Sequence, residues 1–124
     1  MAEAFAKLHG KEVLLPHSAG IKPAGFIHPQ AIAVMSEVGL DLRQHESKPI
    51  DQDILRQMDW VVTMSDEAKA VCASLPQSIH ILHWVINDPV RVLGKGDRVL
   101  KAFQLTRDKI EAQVKEFIET IKRL

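Results

Sequence analysis

The chain has 124 residues, 46% of them hydrophobic and 26% charged, the make-up of a single globular domain spanning 1–124 with one core to bury. Sixteen basic residues balance sixteen acidic ones, so the basic excess of a nucleic-acid or membrane-surface protein is missing, and no apolar run approaches the ~20 residues that span a bilayer. One cysteine, Cys72, leaves no internal disulfide, and the start Met-Ala-Glu-Ala-Phe lacks the charged and apolar regions of a signal peptide, so a cytoplasmic protein is expected.

In chain order, Ala2 to Leu8 reads as a short helix with Ala2, Phe5, Ala6 and Leu8 apolar, stopped by Gly10 and capped by nothing at its start. Glu12 to Leu15 reads as a short strand closing at Pro16, and Ile21 to Ile27, with Pro23 and Gly25, as a loop. Pro29 suits a first helical position. Ala31, Ile32, Met35 and Val38 recur at helical spacing, and Gly39 closes a second helix. Leu40 to Ile50 is an extended connection, and Asp51 caps a third helix, Gln52 to Met58. Trp60 to Met64 is continuously apolar, the pattern of a strand covered on both faces. Ser65 or Asp66 caps a fourth helix to about Ser74. A strand from Ile79 runs into the Asp88-Pro89 turn, and after Gly94 and Gly96 a last helix runs from Asp97 to the terminus with an apolar stripe that includes Phe103, Ile110, Val114 and Ile118.

Helices alternating with short apolar strands specify an α/β class, a three-layer sandwich with a short parallel sheet and helices on both faces. Such folds open on a central strand whose following turn is an anion site; that strand and turn are expected to lie before Met1. Ligands gather at the C-terminal ends of parallel strands, which singles out Asp88. Pro89 fixes its direction, so Asp88 reads either as a presented carboxylate or as the plain start of a turn. His80 and His83 sit three apart on a strand and point to opposite faces, while His9, His17, His28 and His45 show no ligand spacing; no metal site is expected.

Met1-Ala-Glu-Ala-Phe-Ala, His17-Ser-Ala-Gly20, Glu37-Val-Gly-Leu-Asp-Leu42, Ser47-Lys48, Trp60-Val-Val-Thr-Met64, His83-Trp84, Asn87-Asp-Pro89 and Phe103 with Arg107-Asp108 resemble, in order and at matching spacing, the low-molecular-weight protein tyrosine phosphatase superfamily. Ser-Ala-Gly-Ile with the His-Trp and Asp-Pro pairs looks most like its thiol-dependent arsenate reductase branch. The resemblance implies Asp88 as general acid, Ser18 as a hydroxyl bracing a phosphate loop and Trp84 packing behind the acid loop. It also implies small oxyanions (arsenate or phosphate) or phosphotyrosine as substrates, no resident cofactor, and an external reductant such as thioredoxin or a low-molecular-weight thiol.

The family's nucleophile and oxyanion cradle lie in a Cys-x5-Arg loop between the first strand and the Met-Ala-Glu helix, and no Cys-x5-Arg occurs in these 124 residues. In the arsenate reductase branch two further cysteines relay the disulfide. By resemblance the first position is Ser65 and the second Cys72, so a three-cysteine relay is broken. Cys72 reads either as a resolving thiol or as a small core residue. Ser18 is equally open to a plain strand-end role and Lys48 to that of a solvated charge. Two functions follow: an arsenate reductase or phosphatase lineage inactive in this form, or a noncatalytic remnant that binds a partner. Loss of a central strand would leave open sheet edges, and self-association through them is expected.

Overall fold

A computed structural model describes residues 1–21, 25–91, 94 and 96–124. The loop expected around Pro23 falls partly outside the described residues. The elements in chain order are α1 (Ala2–His9), α2 (Pro29–Ser36), α3 (Gln52–Arg56), β1 (Trp60–Thr63), α4 (Asp66–Cys72), β2 (His80–His83), a 3-10 turn (Pro89–Arg91) and α5 (Asp97–Lys122).

The ends of these elements are set by their caps. No side chain caps α1 at Met1. In α2 the ring of His28 accepts the Gln30 N–H, Pro29 occupies the first turn, and Gly39 turns the chain at φ +82, where a Cβ would be strained. Asp51 accepts from the N–H groups of Asp53 and Ile54 at the start of α3, and Ser65 Oγ accepts from Ala68 N at 3.1 Å at the start of α4. That bond satisfies one of the orphan donors of the first turn.

β1 and β2 pair in parallel, with Trp60 opposite His80 and Thr63 opposite His83. Successive strand side chains alternate between faces. Trp60 and His80 stack at 4.4 Å on one face, where Phe117 of α5 meets Trp60 edge-on at 5.4 Å. Thr63 and His83 lie on the other, beside α4, which packs on β1. Helices thus cover both faces of a short parallel sheet. The core lies mainly between α1, α2 and α5: Phe5, Val34, Met35 and Phe103 are almost wholly buried, with Ile110, Val114 and Ile118 beside them. Polar ties lock the same three helices together. His9 Nε2 lies 2.8 Å from Glu111, and Arg107 donates to the Val34 carbonyl at 3.0 Å and to Glu37 at 2.7 Å.

Two expectations need correction. Glu12–Leu15 is not a strand: the N–H groups of Val13 and Leu14 both turn back to the Gly10 carbonyl, at 3.0 and 2.8 Å. Leu14 is thereby folded over Gly10, where a Cβ would stand 2.6 Å from Leu14 Cδ1. The short Val-Leu-Leu run satisfies its backbone locally and sends Leu14 to the helical core. Extended pairing appears later, as a single parallel bridge between Gly20 and Pro49. The strands are also less covered than continuous apolar runs imply, with Ile81 39% exposed, because a sheet of two strands is all edge.

Candidate active site

The Asp88 loop leaves the C-terminal end of β2, as parallel-sheet geometry requires of a ligand-facing segment. Its root is fastened from two sides. Trp84 N extends the ladder to the Thr63 carbonyl at 2.8 Å, and Lys109 of α5 donates from Nζ to the Val85 carbonyl at 2.7 Å. The Trp84 ring is half-buried against the core and meets Phe117 edge-on at 6.3 Å. Asp88 follows on an exposed stretch, its side chain 52% accessible and its Oδ2 4.0 Å from Arg91 Nε. Pro89 then opens a 3-10 turn whose Arg91 N–H returns to the Asp88 carbonyl at 3.1 Å.

Ser18 belongs to a second cluster, built on α1. Its Oγ donates to Glu3 Oε1 at 2.7 Å. The Glu3 side chain, 8% exposed, also faces Lys7 at 3.0 Å, His45 at 3.6 Å and Lys48 at 4.0 Å. Lys48 is therefore more than a solvated charge, and the cluster ties α1 to the segments around Ser18 and His45. Burial pushes the Glu3 carboxyl up. The hydrogen bonds from Ser18 and Lys7 and the charges of Lys7 and Lys48 outweigh it, so the carboxyl ends below its ordinary value of 4.5.

A depressed carboxyl stabilises the fold above its ordinary pKa, and that contribution is lost as the pH falls through the depressed value. Glu3→Gln is therefore expected to lower the urea midpoint at about pH 6 and to lower it less at about pH 3, toward the depressed range in which the native carboxyl gains its proton. Equal losses at both pH values would contradict the assignment.

Cys72 closes α4, 3% exposed, and burial raises its thiol above the ordinary value. A raised thiol is a poor source of thiolate. The Ser65 hydroxyl caps α4 by accepting from Ala68 N. Among the described residues no group of three or more His, Cys, Asp or Glu side chains is placed to hold a metal ion, and no helix is long and apolar enough to cross a membrane. Sequence reading missed Glu3 as the centre of the Ser18 cluster and missed the meeting of Thr63 with His83. The second had a signal, since two parallel strands beginning at Trp60 and His80 put residues 63 and 83 in register.

The chain matches the family of low molecular weight phosphotyrosine protein phosphatases over residues 1–124. It is 38% identical over 122 residues to an arsenate reductase of Bacillus subtilis (strain 168), covering 98% of this chain and 87% of that one. It is 40% identical over 120 residues to an arsenate reductase of Bacillus cereus (strain Q1), covering 97% and 84%. Among solved structures, an arsenate reductase in the reduced state superposes with a TM-score of 0.74 at 28% identity, over 96% of this chain and 86% of that one. A low molecular weight protein tyrosine phosphatase from T. tengcongensis reaches 0.78 at 18% identity, over 96% and 88%, a likeness of fold alone. The chain belongs to the low molecular weight phosphotyrosine protein phosphatase family, within its arsenate reductase branch.

Proposed function

We propose that this chain provides the acid and support side of an arsenate-reducing site, and that the 124 residues alone turn over neither arsenate nor phosphoesters. The observation that carries the reading is Asp88 itself, at the end of a parallel strand, on a loop fastened by Lys109 and Trp84, with its carboxylate open to solvent. A carboxyl so placed gives its proton to an oxygen leaving arsenic or phosphorus once a thiolate has attached there. The relatives named above, called arsenate reductases, favour arsenate over a phosphoester.

In arsenate reduction the thiolate bonds to arsenic, the leaving oxygen takes the proton of Asp88, and a second thiol attacks the first sulfur. A disulfide then forms and arsenite departs with the electron pair. The buried, raised thiol of Cys72 favours an external second thiol, thioredoxin or a low-molecular-weight thiol. The first thiolate belongs to a Cys-x5-Arg loop, and in this sequence Ser78, not arginine, stands six residues after the single cysteine.

General acid help is worth about 10²- to 10⁴-fold against enzymatic accelerations of ~10⁶ or more, so Asp88 without a nucleophile leaves turnover at background. Thiol-dependent arsenite formation and hydrolysis of p-nitrophenyl phosphate by the purified 124-residue polypeptide are expected to equal the buffer rate. Turnover abolished by Asp88→Ala in that polypeptide would overturn the proposal.

A further inference from the structure

The stretch between β2 and Asp88 is held from outside the sheet. Val85 follows the last rung of the ladder, Trp84 N to the Thr63 carbonyl at 2.8 Å, and its side chain is 71% exposed, so packing does little to fix it. Its carbonyl is fixed instead: Lys109 Nζ of α5 donates to it at 2.7 Å, across 24 positions of sequence. The same helix receives Trp84, whose ring meets Phe117 edge-on at 6.3 Å. Lys109 and Phe117 stand two turns apart on α5, roughly 12 Å along its axis, so adjacent residues of the loop root are gripped at two separate points of one helix. The 3-10 turn Pro89–Arg91, which follows Asp88, also packs on α5.

An exposed lysine ordinarily leaves its ammonium in water or beside a carboxylate. Here the acids next to it on α5 face other groups: Asp108 lies 2.9 Å from Arg107 Nε and Glu111 lies 2.8 Å from His9 Nε2. Among the described residues no carboxylate lies within 4.0 Å of Lys109 Nζ, and at 2.7 Å its bond to Val85 has the length of a charge-assisted one. Between this anchor and the turn, where the Arg91 N–H returns to the Asp88 carbonyl at 3.1 Å, stand Ile86 and Asn87. Ile86 rests on the core, but apolar contact has no direction, whereas a hydrogen bond does. Three residues of chain reach about 10 Å at most, so fixing the Val85 carbonyl confines where Asp88 can be presented.

We propose that Lys109 is a positioning residue for Asp88: by holding the Val85 carbonyl it seats the acid loop on α5 and gives the carboxylate one place to stand at the end of β2. A displacement of about 1 Å is enough to cost a catalytic group about 10²-fold. The functional meaning rests on the reading of Asp88 as the acid, while the seating itself is tested without turnover.

In ¹⁵N,¹³C-labelled 124-residue protein, the amides of Val85, Ile86, Asn87 and Asp88 are expected to be as ordered as those of β2, with order parameters of ~0.85. Lys109→Met keeps the stem and removes the donor. The amides of Ile86, Asn87 and Asp88 are then expected to fall below ~0.6, and the Val85 carbonyl ¹³C resonance to shift as its hydrogen bond is lost. Lys109→Arg keeps a charged donor and is expected to restore both. Lys115→Met, which removes another exposed ammonium of α5, is expected to leave the loop as it is. Unchanged amides at Ile110 and Val114 show that the fold is intact, and should Lys109→Met fail to fold, Lys109→Ala is read in the same way. A loop already mobile in the wild type, a loop equally ordered without the donor, or Met and Arg variants that behave alike would each overturn the proposal. Turnover assays bear only on the acid role of Asp88, and these resonances only on its seating.

Discussion

Phe103→Ala is expected to cost about 3–5 kcal/mol, a large part of the ~5–15 kcal/mol that holds a domain of this size. Phe103 is 2% exposed in the cluster where α1, α2 and α5 meet, and its ring stacks on His28 at 4.8 Å. Truncation therefore opens a cavity and also removes the surface that holds the N-cap imidazole of α2 in place. A melting temperature lower by on the order of 10–20 °C is expected by circular dichroism. Leu105→Ala, two residues away on the same helix but 71% exposed, is the control and is expected to stay within ~0.5 kcal/mol of the parent. Equal losses from the two substitutions would show that the face of α5 has been assigned wrongly.

The second large effect is on rate. A polypeptide extended before Met1 by a strand, a Cys-x5-Arg loop and a serine of the family's type is expected to gain thiol-dependent arsenate reduction. Within it, Asp88→Asn is expected to lower kcat by about 10²- to 10⁴-fold, because the amide keeps the shape of the side chain and cannot deliver a proton. Cys72→Ser in the same background is expected to leave turnover with thioredoxin or a small thiol nearly unchanged. A loss there comparable to that of Asp88→Asn would make Cys72 the resolving thiol after all.

The legible parts of the fold are those whose signal is local. Asp51, Ser65, Pro29 and Gly39 mark helix ends by chemistry that operates within four residues, and each does so in the structure. The apolar stripe of α5 likewise predicts its buried positions. Val13 was misread because three apolar residues fit a strand and a helical turn equally, and what decides between them is the space above Gly10, which no local pattern reports. In the candidate site, Asp88 stands out by its Asp-Pro turn, and Ser18, Trp84 and Cys72 come from the family pattern. Glu3 was passed over because its partners Ser18, His45 and Lys48 are 15 to 45 positions away in sequence, and nothing about a glutamate in the first turn of a helix announces them.

The spacing of the core along the chain also bears on how the protein is made. Phe5, Val34 and Met35 find their cover in α5, and the tie between His9 and Glu111 joins residues 102 positions apart. At a synthesis rate of about 5–20 residues per second, the side chains of α1 wait roughly 5–20 s before α5 exists to receive them. Throughout that interval the nascent chain displays its most apolar helices with nothing of its own to cover them. Docking of α5 is then the event that covers this apolar surface and closes the core.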